Sequence, residues 1–202
     1  NDIDMPLIIK VASVPQARMQ VYFIDNDEYF KRKATIYNEK RQLFSDNDER
    51  SIFFAKGVIE TVKKLGWKPD IIHIHGWMPS LVPMYLKLFN HDNPLFADSK
   101  IVYSIYNGGF EGNLGENMKK GLEFDEIPNE HLTWLDKPSF NDLNKNAIDF
   151  CHAVVRGHSE IDADVDQYIK DKGIVYFDGS GLIDNPEGIL SVYKDILVEE
   201  ES

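Results

Sequence analysis

Two rhythms take turns along this chain: short apolar runs with a two-residue alternation, and longer stretches whose apolar residues recur at helical spacing. Residues 6–14 and 19–25 are rich in β-branched and aromatic side chains, and Pro15-Gln16 between them marks a turn, so both read as strands. A polar loop carrying Tyr29, Phe30, Arg32 and Tyr37 follows. Asp46-Asn47-Asp48-Glu49 is a helix-start signal, and Ile52, Phe53, Ala55, Ile59 and Val62 then make one apolar face that stops at Gly66. Residues 70–75 predict a third strand, 79–89 a second helix and 100–106 a fourth strand, which closes into Asn107-Gly108-Gly109-Phe110. Between 113 and 138 the pattern weakens into a long irregular excursion with short helical turns. Beyond it the pattern predicts a helix over 141–150, a strand over 153–155, a helix over 161–170, a strand over 173–177 and a final helix over 186–198.

Strands alternating with helices at this spacing imply parallel βαβ units with right-handed crossovers, in one Rossmann-like α/β domain with helices on both faces of a parallel sheet. The first two strands leave no room for a crossover helix, which predicts a hairpin at one edge of that sheet. In open sheets of this kind ligands sit outside the carboxyl ends of the strands. That rule singles out His73-Ile74-His75-Gly76-Trp77, Tyr106-Asn107-Gly108-Gly109 and Arg156-Gly157-His158-Ser159.

Composition narrows the class. The length of 202 residues suits one domain, and 43% hydrophobic and 12% aromatic residues are enough for a substantial core. No apolar run approaches the ~20 residues needed to cross a bilayer, and no basic-then-apolar leader is present. The first residue is Asn1, consistent with a processed or truncated start. A net charge of −12 repels phosphate backbones and anionic lipid, which argues against nucleic acid and membrane as partners. The acidic end, Val198-Glu199-Glu200-Glu201-Ser202, reads as a solvated tail. Cys151 is the one cysteine, so an internal disulfide framework is excluded and a reducing cytoplasm is the expected home.

Candidate chemistry gathers at the strand ends. Residues two apart on a strand share a face, so His73 and His75 point the same way. Two histidines alone do not make a zinc site, which needs three or four ligands, and no further ligand stands at a telling spacing. No metal and no cofactor are implied. His73 reads as a packed, hydrogen-bonded histidine, and His75, nearer the strand end, as a candidate for function. Gly76 permits backbone geometry other residues resist. Trp77 offers a flat apolar face suited to a sugar ring, although a tryptophan at such a junction is more often core. Asn107 has an amide that both donates and accepts, in what is also a common turn sequence. Neither a phosphate-loop spacing nor GxGxxG occurs. Cys151, beside His152, reads as a packed thiol.

An ordered series of motifs gives these residues a common frame. Val21-Tyr22-Phe23-Ile24-Asp25, Asp46-Asn47-x-x-Arg50 with Phe53-Phe54, Trp67-Lys68-Pro69-Asp70-Ile71-Ile72-His73-x-His75-x-Trp77, Leu81-x-Pro83-x-Tyr85-Leu86 and Ser104-Ile105-x-Asn107 together resemble the glycogen and starch synthases of glycosyltransferase family 5. The likeness is to the N-terminal catalytic domain, runs best over 21–112, and continues weakly through Leu143-Asn144-Lys145-Asn146-Ala147-Ile148. It implies half of a GT-B enzyme, in which two facing Rossmann-like domains move glucose from ADP-glucose onto an α-1,4-glucan with retention. It also implies a sugar-binding corner made of His75, Gly76, Trp77, Tyr106 and Asn107, with an α-glucan or a sugar nucleotide as partner.

The departures from the family pattern are specific. His-x-His-Asp-Trp-His becomes His73-Ile74-His75-Gly76-Trp77-Met78, and Val-His-Asn becomes Ile105-Tyr106-Asn107, so a tyrosine stands where a histidine is expected beside the transferred glucose. The Lys-x-Gly-Gly-Leu loop with its strand–helix unit, and the C-terminal domain with its basic diphosphate-binding residues, are not in these 202 residues. Removing one group aimed at developing charge commonly costs ~10²–10³ in rate. No residue is therefore assigned a catalytic role, and two readings follow. One is a divergent synthase-like glycosyltransferase domain, inactive alone and completed by a C-terminal domain or a partner protein. The other is a non-catalytic glucan-binding or regulatory module of glycogen metabolism. Behind both stands a plainer alternative, a Rossmann-like domain with no sugar affinity.

Overall fold

The computed structural model describes residues 5–182 and 184–198; residues 199–202, most of the expected acidic tail, lie outside it. Strands β1 (Ile8–Val14) and β2 (Met19–Asp25) form the predicted hairpin, with Ile8 opposite Asp25 and Val14 opposite Met19. The hairpin is not an edge of the main sheet, as the sequence suggested, but a two-stranded sheet of its own. It rests instead on the helix that follows, where Ile24 and Leu7 approach the backbone of Gly57. The loop after it contains a single turn, α1 (Asp27–Phe30), started by Asn26, whose side chain accepts from the backbone of Glu28 and Tyr29.

Helix α2 (Asn47–Leu65) buries Ala55 and Ile59 and ends at Gly66 in the left-handed conformation, φ 63°. Asp46 does not cap it; the carboxylate is taken by the Arg32 guanidinium. Arg50 donates to the carbonyl of Thr35 at 2.7 Å and to Asn47 Oδ1 at 2.6 Å, so this motif pins the preceding loop to the helix.

Strand β3 (Ile71–His75) leads to α3 (Val82–Phe89), and β4 (Lys100–Ile105), buried at every position, follows. The weak stretch 113–138 holds helix α4 (Asn117–Phe124), whose Met118 and Leu122 are fully buried, and a short 3-10 turn at Asn129–His131. Next come α5 (Phe140–Phe150), β5 (Ala153–Arg156), α6 (Ala163–Lys172), β6 (Val175–Asp178) and α7 (Ile189–Val198). Strand order is β3-β4-β5-β6, all parallel, as the alternation predicted.

The register decides which side chains meet on each face. Ile74, Tyr103, Ile105 and Val154 enter the larger core with α2, α3, α5 and α6. Val102, Ala153 and Val155 face the other way, against Val192 and Ile196 of α7. Helices therefore cover both faces. Among the described residues no helix is long and apolar enough to cross a membrane.

Candidate functional site

Three strand ends converge, and the first begins with two histidines. His73 pairs with Val102 and His75 with Ser104, which sets both imidazoles on the α7 side of the sheet. Their rings stack with centroids 4.0 Å apart and planes 30° apart. His73 uses both nitrogens: Nδ1 with the Tyr193 hydroxyl at 2.6 Å and Nε2 with Ser104 Oγ at 2.7 Å. Burial, and secondarily the neighbouring His75, pushes its pKa down to about 3, so the ring is neutral near neutral pH. The edge of His75 is open to solvent, but the surrounding protein also lowers its basicity by desolvation.

The chain turns at Gly76, whose φ of +74° is left-handed and whose N–H donates to the carbonyl of Ser104 at 3.1 Å. Trp77 then points inward. It is 8% exposed and meets Phe110 edge-to-face at 5.0 Å, so its ring braces the corner from within and offers no open face to a sugar. Here the more common fate of a junction tryptophan prevails over the expected platform.

Tyr106, at the end of β4, leans over the β5 corner. Its ring lies so close to Gly157 that a Cβ there would be 2.4 Å from Tyr106 Cε1, so a side chain at that position would push the ring aside. Its hydroxyl hydrogen-bonds His75 Nδ1 at 2.7 Å, so the tyrosine and the second histidine do meet. Asn107 Oδ1 accepts from the backbone N–H of Gly108 at 2.8 Å, which shapes the turn and leaves the Nδ2 hydrogens available. At the third strand end, Arg156 is paired with Asp178 at 2.6 Å.

On the other side of this corner lies a cleft of about 240 Å³, walled by Tyr106, Asn107, Gly109, Phe140, Asn141 and Asp162. Glu111 and Asn144 also border it, and among the described residues no lysine, arginine or histidine does. Asn144 is spent on the fold: Oδ1 accepts from the Tyr103 hydroxyl at 2.7 Å and Nδ2 donates to the carbonyl of Phe140 at 3.0 Å. The cleft is thus rich in amides and carboxylates and free of cations. That composition suits neutral hydroxyl groups and disfavours a diphosphate.

Among the described residues no three His, Cys, Asp or Glu side chains gather as a metal site. Burial pushes the Cys151 thiol up to about 12, which keeps it protonated and unreactive. Sequence reasoning missed the roles of Tyr193, Phe110 and Phe140, and reached Gly157 only as part of a strand-end segment. The strand-end rule pointed at the segment containing Gly157, but nothing local marked Tyr193, which lies far along the chain from its partner.

The family described as starch synthase catalytic domain matches residues 2–160. The glycogen synthase of Chlorobium luteolum is 39% identical over 143 residues, covering 63% of this chain and 28% of that protein. The glycogen synthase of Chlorobium limicola is 41% identical over 130 residues, covering 60% and 25%. The chain thus spans about a quarter of the length of these curated relatives. The catalytic domain of starch synthase IV from Arabidopsis thaliana, bound to ADP and acarbose, superposes with a TM-score of 0.59 at 20% identity. That likeness, one of fold, covers 84% of this chain and 36% of that one.

Proposed function

The chain belongs to the starch synthase catalytic domain family, and from that premise we propose that it forms the sugar-facing part of a glycogen or starch synthase-type glycosyltransferase. In this reading glucose passes from ADP-glucose to an α-1,4-glucan once a diphosphate-binding domain, in the same polypeptide or in a partner protein, joins it. His75, Gly76, Tyr106 and Asn107 form the sugar-binding corner, with Trp77 as its internal support. The observation that carries the proposal is the cation-free cleft beside Tyr106 and Asn107, where amides and carboxylates stand among apolar side chains such as Phe140 and Val165.

A second reading, a non-catalytic glucan-binding or regulatory module, draws support from Tyr106. A phenol held by His75 adds an aromatic surface and a hydrogen-bonding tip, which serves a sugar hydroxyl better than it serves proton transfer. Both readings require the corner to bind sugar and this chain not to favour the nucleotide. Each hydroxyl exchanges water for protein partners at ~0.5–1.5 kcal/mol net, so three or four such bonds reach about 4 kcal/mol, a millimolar affinity. Calorimetric or NMR titration should give weak binding of maltotetraose, weakened several-fold by Asn141→Ala, and no tighter binding of ADP-glucose. A flat maltotetraose titration, or a clear preference for ADP-glucose, would remove the proposal.

A further inference from the structure

Tyr193 links helix α7 to the candidate site through an unbroken series of side-chain contacts. Its hydroxyl bonds His73 Nδ1 at 2.6 Å, and Ser104 Oγ holds the opposite ring nitrogen at 2.7 Å. With both nitrogens engaged, the imidazole cannot flip or swing without breaking both bonds. Tyr193 also meets the His73 ring edge-on, with centroids 5.6 Å apart and planes 82° apart. The fixed ring is the surface on which His75 stacks at 4.0 Å. His75 in turn holds the Tyr106 hydroxyl at 2.7 Å. Tyr106 is 36% exposed and His75 is exposed too, so solvent on one side does little to hold either ring in one orientation.

Helix α7 docks mainly through Val192 and Ile196, while Leu190 and Leu197 remain 56% and 42% exposed. Those apolar contacts fix its distance from the sheet, while a polar route leads from the helix to His75. It runs from the hydroxyl of Tyr193 through one intermediary. We infer that Tyr193 and His73 are positioning residues, through which docking of α7 orients His75 and thereby sets the Tyr106 hydroxyl in the sugar-binding corner. The sugar-binding consequence rests on the function proposed above; the orientation of His75 and Tyr106 does not.

The test is Tyr193→Phe in the 202-residue protein, which deletes one oxygen and keeps the ring that packs beside His73. Imidazole nitrogen and ring-proton NMR signals of His73 and His75, and the ring signals of Tyr106, are recorded without ligand. The inference expects the His75 tautomer balance and the Tyr106 signals to move together with those of His73. It further expects maltotetraose affinity to fall about threefold to tenfold, the span of one lost hydrogen bond. Ser104→Ala, which releases the opposite nitrogen of His73, should move the same His75 and Tyr106 signals. Movement at His73 alone in both variants would overturn the inference, because Tyr193 would then only fasten the helix. If the signals move in a wild-type background that binds no sugar, the positioning stands and the proposed function falls.

Discussion

His73 shows how one residue's packing becomes a measurable property. A histidine held neutral by burial, at about 3 against an unfolded value near 6.5, binds fewer protons when folded than when unfolded across that interval. Its contribution to stability is therefore complete above about pH 6.5 and is lost progressively as pH falls towards 3. Between about pH 7 and 5 the loss is at most about 2 kcal/mol, reduced by the part of the ring that water reaches. Urea unfolding at those two pH values should show a smaller loss for His73→Gln than for the wild type; equal losses would mean that His73 is not held neutral. Asp46 and Arg50 teach a different lesson at this scale. They belong to the motif that carries the family resemblance, yet their side chains clamp the loop before α2.

Among the elements, α5 bears most directly on the site. Ser139 and Asp142 close a capping box at its start: the Ser139 side chain accepts from the backbone of Asp142 at 3.2 Å, and Asp142 Oδ2 accepts from the Ser139 N–H at 2.8 Å. The next residue, Phe140, lies against Gly109 and forms a wall of the cleft. Ser139→Ala should cost about 1 kcal/mol in denaturant unfolding and loosen the Phe140 wall as well. An unchanged midpoint would show that Phe140 packing alone fixes the helix start. Helix α4 was legible only as an irregular excursion, because two buried residues, Met118 and Leu122, are too few for a periodic signal. The hairpin was legible as two strands and a turn, but not its place, because α2 rather than a sheet edge received it.

For the whole molecule, the charges that a departing diphosphate would need are missing from the candidate site. No cation lines the cleft, and Arg156 nearby is paired with Asp178. Purified protein of residues 1–202 should therefore transfer no labelled glucose from ADP-glucose to glycogen above a blank, and Gly76→Asp with Tyr106→His should not restore transfer. Label in the glucan from either protein would overturn this. By itself the sequence determined the alternation of strands and helices, the parallel order of β3 to β6, and the strand ends where side chains could act. It did so because periodicity, turn residues and the crossover rule are local or topological, and do not depend on how the layers finally pack. It also placed His73 and His75 on one face, since a strand fixes that spacing. Only the tertiary structure decided that Trp77 would be buried against Phe110, that the hairpin would stand on α2, and that Tyr193 would reach back to His73. Those outcomes depend on which surfaces remain uncovered once the sheet and its helices have assembled, and contacts between residues far apart in the chain leave no periodic trace in it.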